Sequence, residues 1–234
     1  MFAIYKRELR SYFVGVIGYA FLVIYLAIAG ILFSYTTLFS MSSDVTSYFT
    51  MMLIFSAVAL PLLTMKSFSE ERKSKTEQLV LTAPVSLPAM VFGKFFASYT
   101  VFGAATIFTS FYFLFLIPYA QLQFAVLLGN LIALLLVGMV FISIGLFVSS
   151  LTENQLAAAV ITVAIILVML ILDMLNNFIN VYAIRFVLSW FSVLSRFSNF
   201  TTGILDFSAI LYYLSIAGIF LLLTVRVYDK RRWG

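Results

Sequence analysis

Long stretches without a charged residue constrain this chain more than any other feature of its sequence. They occupy residues 11–43, 45–65, 95–152, 154–172 and 207–225. A membrane-spanning helix needs about 20 predominantly apolar residues to cross roughly 30 Å of hydrocarbon. The longest stretch therefore holds two such helices, with the turn between them near Pro118, Gln121 and Gln123. With 64% hydrophobic and 10% charged residues, the chain is predicted to be an all-α membrane protein.

Six membrane spans are predicted from these stretches. Their approximate limits are 14–38, 47–66, 89–117, 125–150, 156–178 and 206–226. Lysine and arginine are enriched in cytoplasmic loops. Twelve of the 14 basic residues precede span one, lie between or just inside spans two and three, or follow span six. An even number of spans brings these three groups to one side of the membrane, which predicts that both termini are cytoplasmic.

Several classes of function are excluded by what the sequence lacks. Without histidine, the chain has neither the usual general base nor the commonest metal ligand, and without cysteine it has no thiolate or disulfide. A P-loop is excluded because Gly93 and Lys94 are followed by Phe95 rather than Ser or Thr. The net charge of +5 does not indicate nucleic acid, because the basic residues lie at membrane edges. No catalytic residue, metal or cofactor is therefore predicted for this chain.

The first 13 residues predict a helix that lies along the membrane surface. Phe2, Tyr5, Leu9, Tyr12 and Phe13 fall near one face of such a helix, and the charged residues fall largely off that face. A frayed basic tail is the alternative, since so short a segment gives a weak periodic signal.

A dense polar segment, residues 66–88, interrupts the apolar chain between spans two and three. Ser67 with Glu70, and Ser74 with Glu77, have the spacing of a helix capping box, which predicts two short helices. The apolar residues 79–81 follow the charges and give the second helix an apolar patch with a polar rim. From this pattern alone, a docking element for another protein and an ordinary charged loop are equally favoured.

The polar segment also carries a resemblance to a known family. Its sequence, PLLTMKSFSEERKSKTEQLVLTAPVS at 61–86 followed by VFGK at 91–94, resembles the signature of ABC-2 type transporter permeases. YKRELRSY at 5–12 resembles that family's opening interfacial helix, and SSLTENQ at 149–155 resembles its loop between spans four and five. LSRFSNFTTGILD at 194–206 is most similar to the branch associated with gliding motility, although Ser195 and Arg196 stand where many relatives have a His and a Pro.

The resemblance implies a single transmembrane domain over residues 1–234, similar to type V exporters. Its parts would be an interfacial helix at 1–13, a cytoplasmic coupling region with a coupling helix at 66–88, and an outer segment at 179–205. The implied partners are a second permease copy or paralogue, two copies of a separate ABC ATPase that binds the ATP and Mg²⁺, and membrane lipid. The implied location is the bacterial plasma membrane, and an extracellular accessory protein is left open.

The resemblance also implies which residues contact the ATPase. They lie in the polar segment and in the loop between spans four and five. They are Glu70, Glu71, Arg72, Thr76, Glu77, Leu81, Pro84, Glu153, Asn154 and Gln155.

One carboxylate, Asp173, falls within a predicted span. An ionisable group inside a membrane is a functional candidate by default, so Asp173, Asn176 and Asn177 are candidates for a substrate path. The alternative is structural, because Asp173 lies near the outer end of span five and can reach the headgroups or Arg185.

The outer segment, 179–205, is too apolar for an exposed loop. Short re-entrant helices are predicted there, because irregular backbone at membrane depth must be covered by protein. An aromatic interface belt is the alternative.

The sequence thus favours a permease subunit that exports a hydrophobic or amphiphilic substrate and is driven by a separate ATPase. The first alternative is an ATP-independent channel or secondary carrier. The second alternative is an intramembrane aspartyl protease that uses Asp173 and Asp206.

Overall fold

The computed structural model describes residues 1–42, 44–78, 85–119, 123–176, 193–201, 203 and 206–233, with the backbone alone at 174–176 and 233. Every regular element in these ranges is helical, which confirms the predicted all-α class. The helices are α1 (Phe2–Val14), α2 (Val16–Phe33), α3 (Val45–Thr64), α4 (Lys66–Lys73), α5 (Leu87–Ser110), α6 (Phe124–Leu151), α7 (Gln155–Asn176), α8 (Leu194–Thr201) and α9 (Phe207–Trp233).

Six helical segments of the described chain are long and apolar enough to cross a membrane. They are Val16–Phe39, Val45–Lys73, Leu87–Leu116, Phe124–Leu151, Gln155–Asp173 and Phe207–Arg232. Their number and order confirm the predicted spans. The largest differences are at the ends of spans two and six, where the helix continues into polar residues that an apolar pattern does not include.

Helix α6 forms the centre of the bundle. In its most apolar window 72% of the residues are buried within the chain, against 28% in the first span. It packs against α3, α5, α7, α8 and α9. Two glycines allow this packing: a Cβ at Gly138 would lie 2.0 Å from a ring carbon of Phe102, and a Cβ at Gly145 would lie 2.1 Å from Oγ1 of Thr64. Close approach of helices is thus achieved within one subunit.

Helix α1 forms a corner with α2 and lies across the start of α5. Gly15 separates α1 from α2 with extended backbone. At Gly18, a Cβ would lie 2.5 Å from the carbonyl oxygen of Tyr12. At Gly93 of α5, a Cβ would lie 2.9 Å from Cγ2 of Ile4. The N-terminal segment is therefore a packed helix and not a frayed tail, and its place along the membrane surface stays a prediction.

The polar segment breaks into helices for a different reason from the one predicted. Met65, which precedes α4, already has helical backbone, and no side chain caps α4. Ser67 lies inside the helix, and the Ser74 hydroxyl donates to the carbonyl of Glu70 over 2.8 Å at the end of α4. Lys75 follows with a positive φ of 57°, which ends the helix. Both capping-box predictions are therefore wrong, because these serines do not begin helices.

Only part of the predicted outer segment, 179–205, is described. Helix α8 packs against α6 and buries Phe197 and Phe200. The hydroxyl of Tyr213 in α9 donates to the carbonyl of Val193 over 2.8 Å. Most of the segment for which re-entrant helices are predicted lies outside the described residues.

Candidate functional site at the basic end of the bundle

The basic end is the end of the bundle where α1, α4, the start of α5, the α6–α7 loop and the end of α9 meet. No side chain of the polar segment caps α4, so its first N–H groups need acceptors from elsewhere. The Ser149 hydroxyl of α6 accepts from the N–H groups of Phe68 and Ser69, each over 3.1 Å, and donates to the carbonyl of Met65 over 3.0 Å. One side chain of the central helix thus holds the junction of α3 and α4.

Lys94 at the start of α5 joins α4 to α1. Its side chain is almost fully buried, and Nζ donates to the Ser67 carbonyl over 2.7 Å. Nζ also lies 2.9 Å from Oε1 of Glu71 in α4 and 3.3 Å from Oε1 of Glu8 in α1. A buried cation needs paired charge and hydrogen bonds, and both are present here.

Arg7 adds a second cation to this network. Nη2 lies 2.6 Å from Oε1 of Glu8 and 3.1 Å from Oε1 of Glu71. The hydrogen bond to Glu8 raises the pKa of the Arg7 guanidinium above its ordinary value. Two cations and two carboxylates therefore clamp the surface helix α1 against α4 and α5.

A buried phenol reinforces the contact of α1 with the bundle. The Tyr12 hydroxyl lies 2.8 Å from Oγ of Ser98 and donates to the Leu63 carbonyl over 3.3 Å. Burial raises the pKa of this phenol, so it remains a neutral hydrogen-bonding group at physiological pH. Tyr12 thus connects α1 with α3 and α5 at the same level as the charged network.

Arg72 joins α4 to the loop between α6 and α7. Nη1 donates to the carbonyl of Leu151 over 2.7 Å, and Nε lies 3.0 Å from Oε1 of Glu153. The guanidinium therefore binds the last residue of α6 and the first turn of the loop at once.

The end of α9 is attached to the same polar segment. Nη1 of Arg231 donates to Oε1 of Glu77 over 3.0 Å, and Nη2 donates to the carbonyl of Ser150 over 2.7 Å. The rings of Tyr228 and Phe68 pack with their centroids 5.0 Å apart. The polar segment is thus bonded to helices that precede it, follow it and end the chain.

The outer side of the polar segment is open. Glu70, Lys73, Lys75 and Thr76 are exposed. A groove of about 450 Å³ lies between the end of α4 and the α6–α7 loop, and its walls are Lys73, Glu153, Asn154, Gln155 and Leu156. Leu156 is 70% exposed beside these polar groups. An apolar side chain with a polar rim is typical of a surface that contacts another protein.

A comparison with known families shows which family the chain belongs to. A model described as ABC-2 family transporter protein matches residues 34–233, which include α4, the α6–α7 loop and α9. The chain belongs to the ABC-2 transporter family. A search of curated proteins found no match to it. The family resemblance is confirmed, and the similarity to the gliding-motility branch stays a prediction.

The ABC-2 chain brings several of the predicted coupling residues together but gives them unequal exposure. Glu71, Arg72 and Glu77 face inward and bond to other helices, with side-chain exposures of 20%, 29% and 13%. Glu70 and Glu153 are 55% and 61% exposed.

Some of the remaining predicted residues lie in the described part of the chain, and others do not. The Thr76 hydroxyl donates to the carbonyl of Glu71 over 3.3 Å and is exposed. Asn154 accepts from the N–H of Leu156 over 3.0 Å, so it also shapes the start of α7. Leu81 and Pro84 lie outside the described residues.

The predicted substrate-path residues are only partly described. Asp173 in α7 is 6% exposed, and its Oδ2 accepts a short hydrogen bond from the N–H of Leu194 at the start of α8. Of Asn176 only the backbone is described, and Asn177 lies outside the described residues. Asp206 binds the side chain of Asn199 over 2.9 Å and the N–H of Ser208 over 2.9 Å. Each carboxylate thus accepts from a backbone N–H at the start of a helix, as capping side chains do.

The predicted contact residues do not include four residues that complete the basic end. Lys94, Ser149 and Arg231 each bond to the polar segment from another helix, and Glu8 of α1 bonds to Lys94. Of the four, Lys94 could have been found from the sequence, because a lone lysine at the start of an apolar span needs a partner.

Proposed function

We propose that this ABC-2 chain is the permease subunit of an ABC transporter that exports a hydrophobic or amphiphilic substrate across the bacterial plasma membrane. A second permease copy or paralogue completes the pathway, and two copies of a separate ATPase supply the energy. The observation that supports this most directly is the bonding of the polar segment to α1, α5, α6 and α9 by Glu71, Glu77, Arg72 and Ser149.

Because of these bonds, α4 can transmit a displacement to the helices around it. ATP-driven closure of a motor subunit reaches the membrane only through a stiff contact. Helix α4 continues from α3 through Met65, and Ser149 holds that junction to the central helix. A push on α4 would therefore move α3 and α6 together.

The contact with the ATPase would use the open side of the polar segment. Of the predicted contact residues, Glu70, Thr76, Glu153, Asn154 and Gln155 border that side or the groove beside it. Glu71, Arg72 and Glu77 would act behind the contact by holding the polar segment to its neighbours. Leu81 and Pro84 remain part of the proposal on the family resemblance alone.

The first experiment is to tag the chain, purify it gently from its own membranes and identify its stoichiometric partners by mass spectrometry. Recovery of a P-loop ATPase at equal copy number is the expected result. Recovery of an intact oligomer without an ATPase would overturn the proposal and favour the channel or carrier.

A pair of variants tests where the ATPase binds. Lys73→Glu reverses a charge on the wall of the groove, and Lys230→Glu reverses an exposed charge on α9 at the same end. We expect Lys73→Glu to lower the recovered ATPase and Lys230→Glu to leave it unchanged. Equal recovery with both variants would show that the groove is not the contact.

A further inference from the structure

A second, polar cavity lies between α1, α4 and α5. Its volume is about 330 Å³. Charged side chains line it, among them Glu8, Lys66, Glu70, Glu71 and Lys94. It opens at the basic end, where the spans leave the apolar part of the bundle.

An apolar groove begins where this cavity ends. It lies between α2 and α3, has a volume of about 270 Å³ and is lined by residues such as Phe21, Ile24, Phe55 and Leu62. Ile17 lines both the cavity and the groove. The change from apolar to polar walls also occurs between neighbours in the chain, because Met65 lines the groove and Lys66 the cavity.

The corner at Gly15 makes room for this arrangement. The chain turns there from α1 into α2 with extended backbone, and both Gly15 and Ile17 border the cavity. From Ile17 to Tyr25 the groove follows α2 for about 12 Å at the rise of an α-helix. Half of a bilayer's hydrocarbon is roughly 15 Å thick, so the groove has the length of most of one leaflet.

Charges in the cavity indicate what kind of polar group fits it. Lys94 is saturated by Glu8, Glu71 and the Ser67 carbonyl. Lys66 and Glu70 are weakly engaged, with 4.0 Å between their charged atoms and side-chain exposures of 36% and 55%. They offer one positive and one negative group on adjacent turns of α4.

We propose that the cavity and the groove together bind one phospholipid whose head carries an ammonium group. The ammonium group faces Glu70, the phosphate faces Lys66, and an acyl chain lies in the groove between α2 and α3. An anionic head without an ammonium group fits less well, because the cavity is lined by three carboxylates and only two lysines, and Lys94 is already paired with Glu8 and Glu71. This site does not depend on the ATPase or on the proposed function.

The test uses the purified full-length chain in phosphatidylglycerol vesicles, whose head has no ammonium group, with a small amount of a photoreactive phosphatidylethanolamine that has a diazirine in its acyl chain. After irradiation, peptides that carry the lipid are mapped by mass spectrometry. We expect the label to concentrate on the groove faces of α2 and α3. Labelling spread evenly over all exposed spans would overturn the proposal, because it would indicate surrounding lipid only.

Two matched variants on α2 test the groove. Ala20→Trp fills it, because Ala20 lines the groove, and Ala27→Trp adds the same ring to an exposed position two turns along. We expect labelling to fall about tenfold in Ala20→Trp and to stay unchanged in Ala27→Trp. Equal labelling in the two variants would overturn the proposal.

A third variant tests the head group without changing the groove. Glu70→Gln removes an exposed carboxylate, so the fold should be retained. We expect it to reduce labelling by the phosphatidylethanolamine probe to the level of a phosphatidylglycerol probe with the same acyl chain. If wild-type chain labels equally with both probes, the assigned head group is wrong.

Discussion

At the scale of single residues, Lys94 stands out as a charged side chain that is almost fully buried. Its side chain is 1% exposed and pairs with two carboxylates that are 13% and 20% exposed. Removing one partner of a buried ion pair leaves the other charges uncompensated, which costs roughly 3–5 kcal/mol. We expect Lys94→Ala to lower the free energy of unfolding by about this amount.

The measurement is the thermal midpoint of the detergent-solubilised protein, followed by size-exclusion chromatography. Lys66→Ala is the control, since Lys66 is more exposed and its ion pair at 4.0 Å contributes at most about 1 kcal/mol. Equal midpoints for the two variants would show that the network around Lys94 contributes nothing to stability.

Asp173 presents a choice between a structural and a transport role. Its carboxylate binds the N–H of Leu194, and an asparagine can accept the same hydrogen bond through its side-chain carbonyl. If the role is structural, Asp173→Asn should keep the wild-type thermal midpoint and ATPase activity of the complex. Asp173→Ala should lower stability by about 1–3 kcal/mol, because it removes the acceptor of a partly buried N–H.

A different pattern would assign Asp173 to the substrate path. In that case Asp173→Asn would retain the wild-type midpoint and lose activity, because the charge would matter and the hydrogen bond would not.

At the scale of helices, the contact of α6 with α3 depends on the absence of a side chain at Gly145. A Cβ there would lie 2.1 Å from Oγ1 of Thr64, so Gly145→Ala should destabilise the chain by about 1–3 kcal/mol. Gly103→Ala is the control, because its Cβ would lie 3.8 Å from the nearest atom, a methyl carbon of Leu135. Alanine is the better helix former, so Gly103→Ala should be neutral or slightly stabilising.

The double variant Gly145→Ala with Thr64→Ala separates the clash from other effects. Removing Oγ1 relieves the closest contact, so the double variant should be more stable than Gly145→Ala alone. Thermal midpoints in one detergent measure the stability of all these variants. If the effects of Gly145→Ala and Thr64→Ala simply add in the double variant, the contact between the two positions is refuted.

The attachment of α9 to the polar segment can be tested by cross-linking, since the chain has no cysteine of its own. Glu77→Cys with Arg231→Cys should be joined efficiently by a short bismaleimide in native membranes, because these side chains are in contact. The control pair is Glu77→Cys with Arg226→Cys, because the Arg226 side chain is 82% exposed. Equal cross-linking of the two pairs would show that the end of α9 is not held there.

The helices were more predictable from the sequence than the basic end was. Spans follow from hydropathy, because every backbone group within the membrane must be bonded inside the helix. The capping prediction failed at Ser67 because the helical backbone of α3 continues through Met65, which local spacing does not reveal. Pairs such as Lys94 with Glu71, or Arg231 with Glu77, join residues far apart in the chain and exist only after the helices pack.

At the scale of the whole molecule, the ion pairs between described helices are concentrated at one end. The charged bonds of α1, α4, α5 and α9 all lie at the basic end. Elsewhere the described spans expose large apolar side chains, for example Val23, Ile31, Val160 and Leu222. Such surfaces fit lipid or the second permease copy that we propose.

The last prediction is the side of the membrane on which the basic end lies, and it follows directly from the sequence. Because basic residues are retained in the cytoplasm, Lys6→Cys, Lys75→Cys and Lys230→Cys should react with an impermeant maleimide only after spheroplasts are permeabilised. Phe39→Cys and Tyr119→Cys lie at the other ends of their spans and are 83% and 86% exposed, so they should react in intact spheroplasts. Full reversal of this pattern would keep six spans and refute the orientation, whereas reaction of Lys6→Cys and Lys230→Cys from opposite sides would refute the even number of spans.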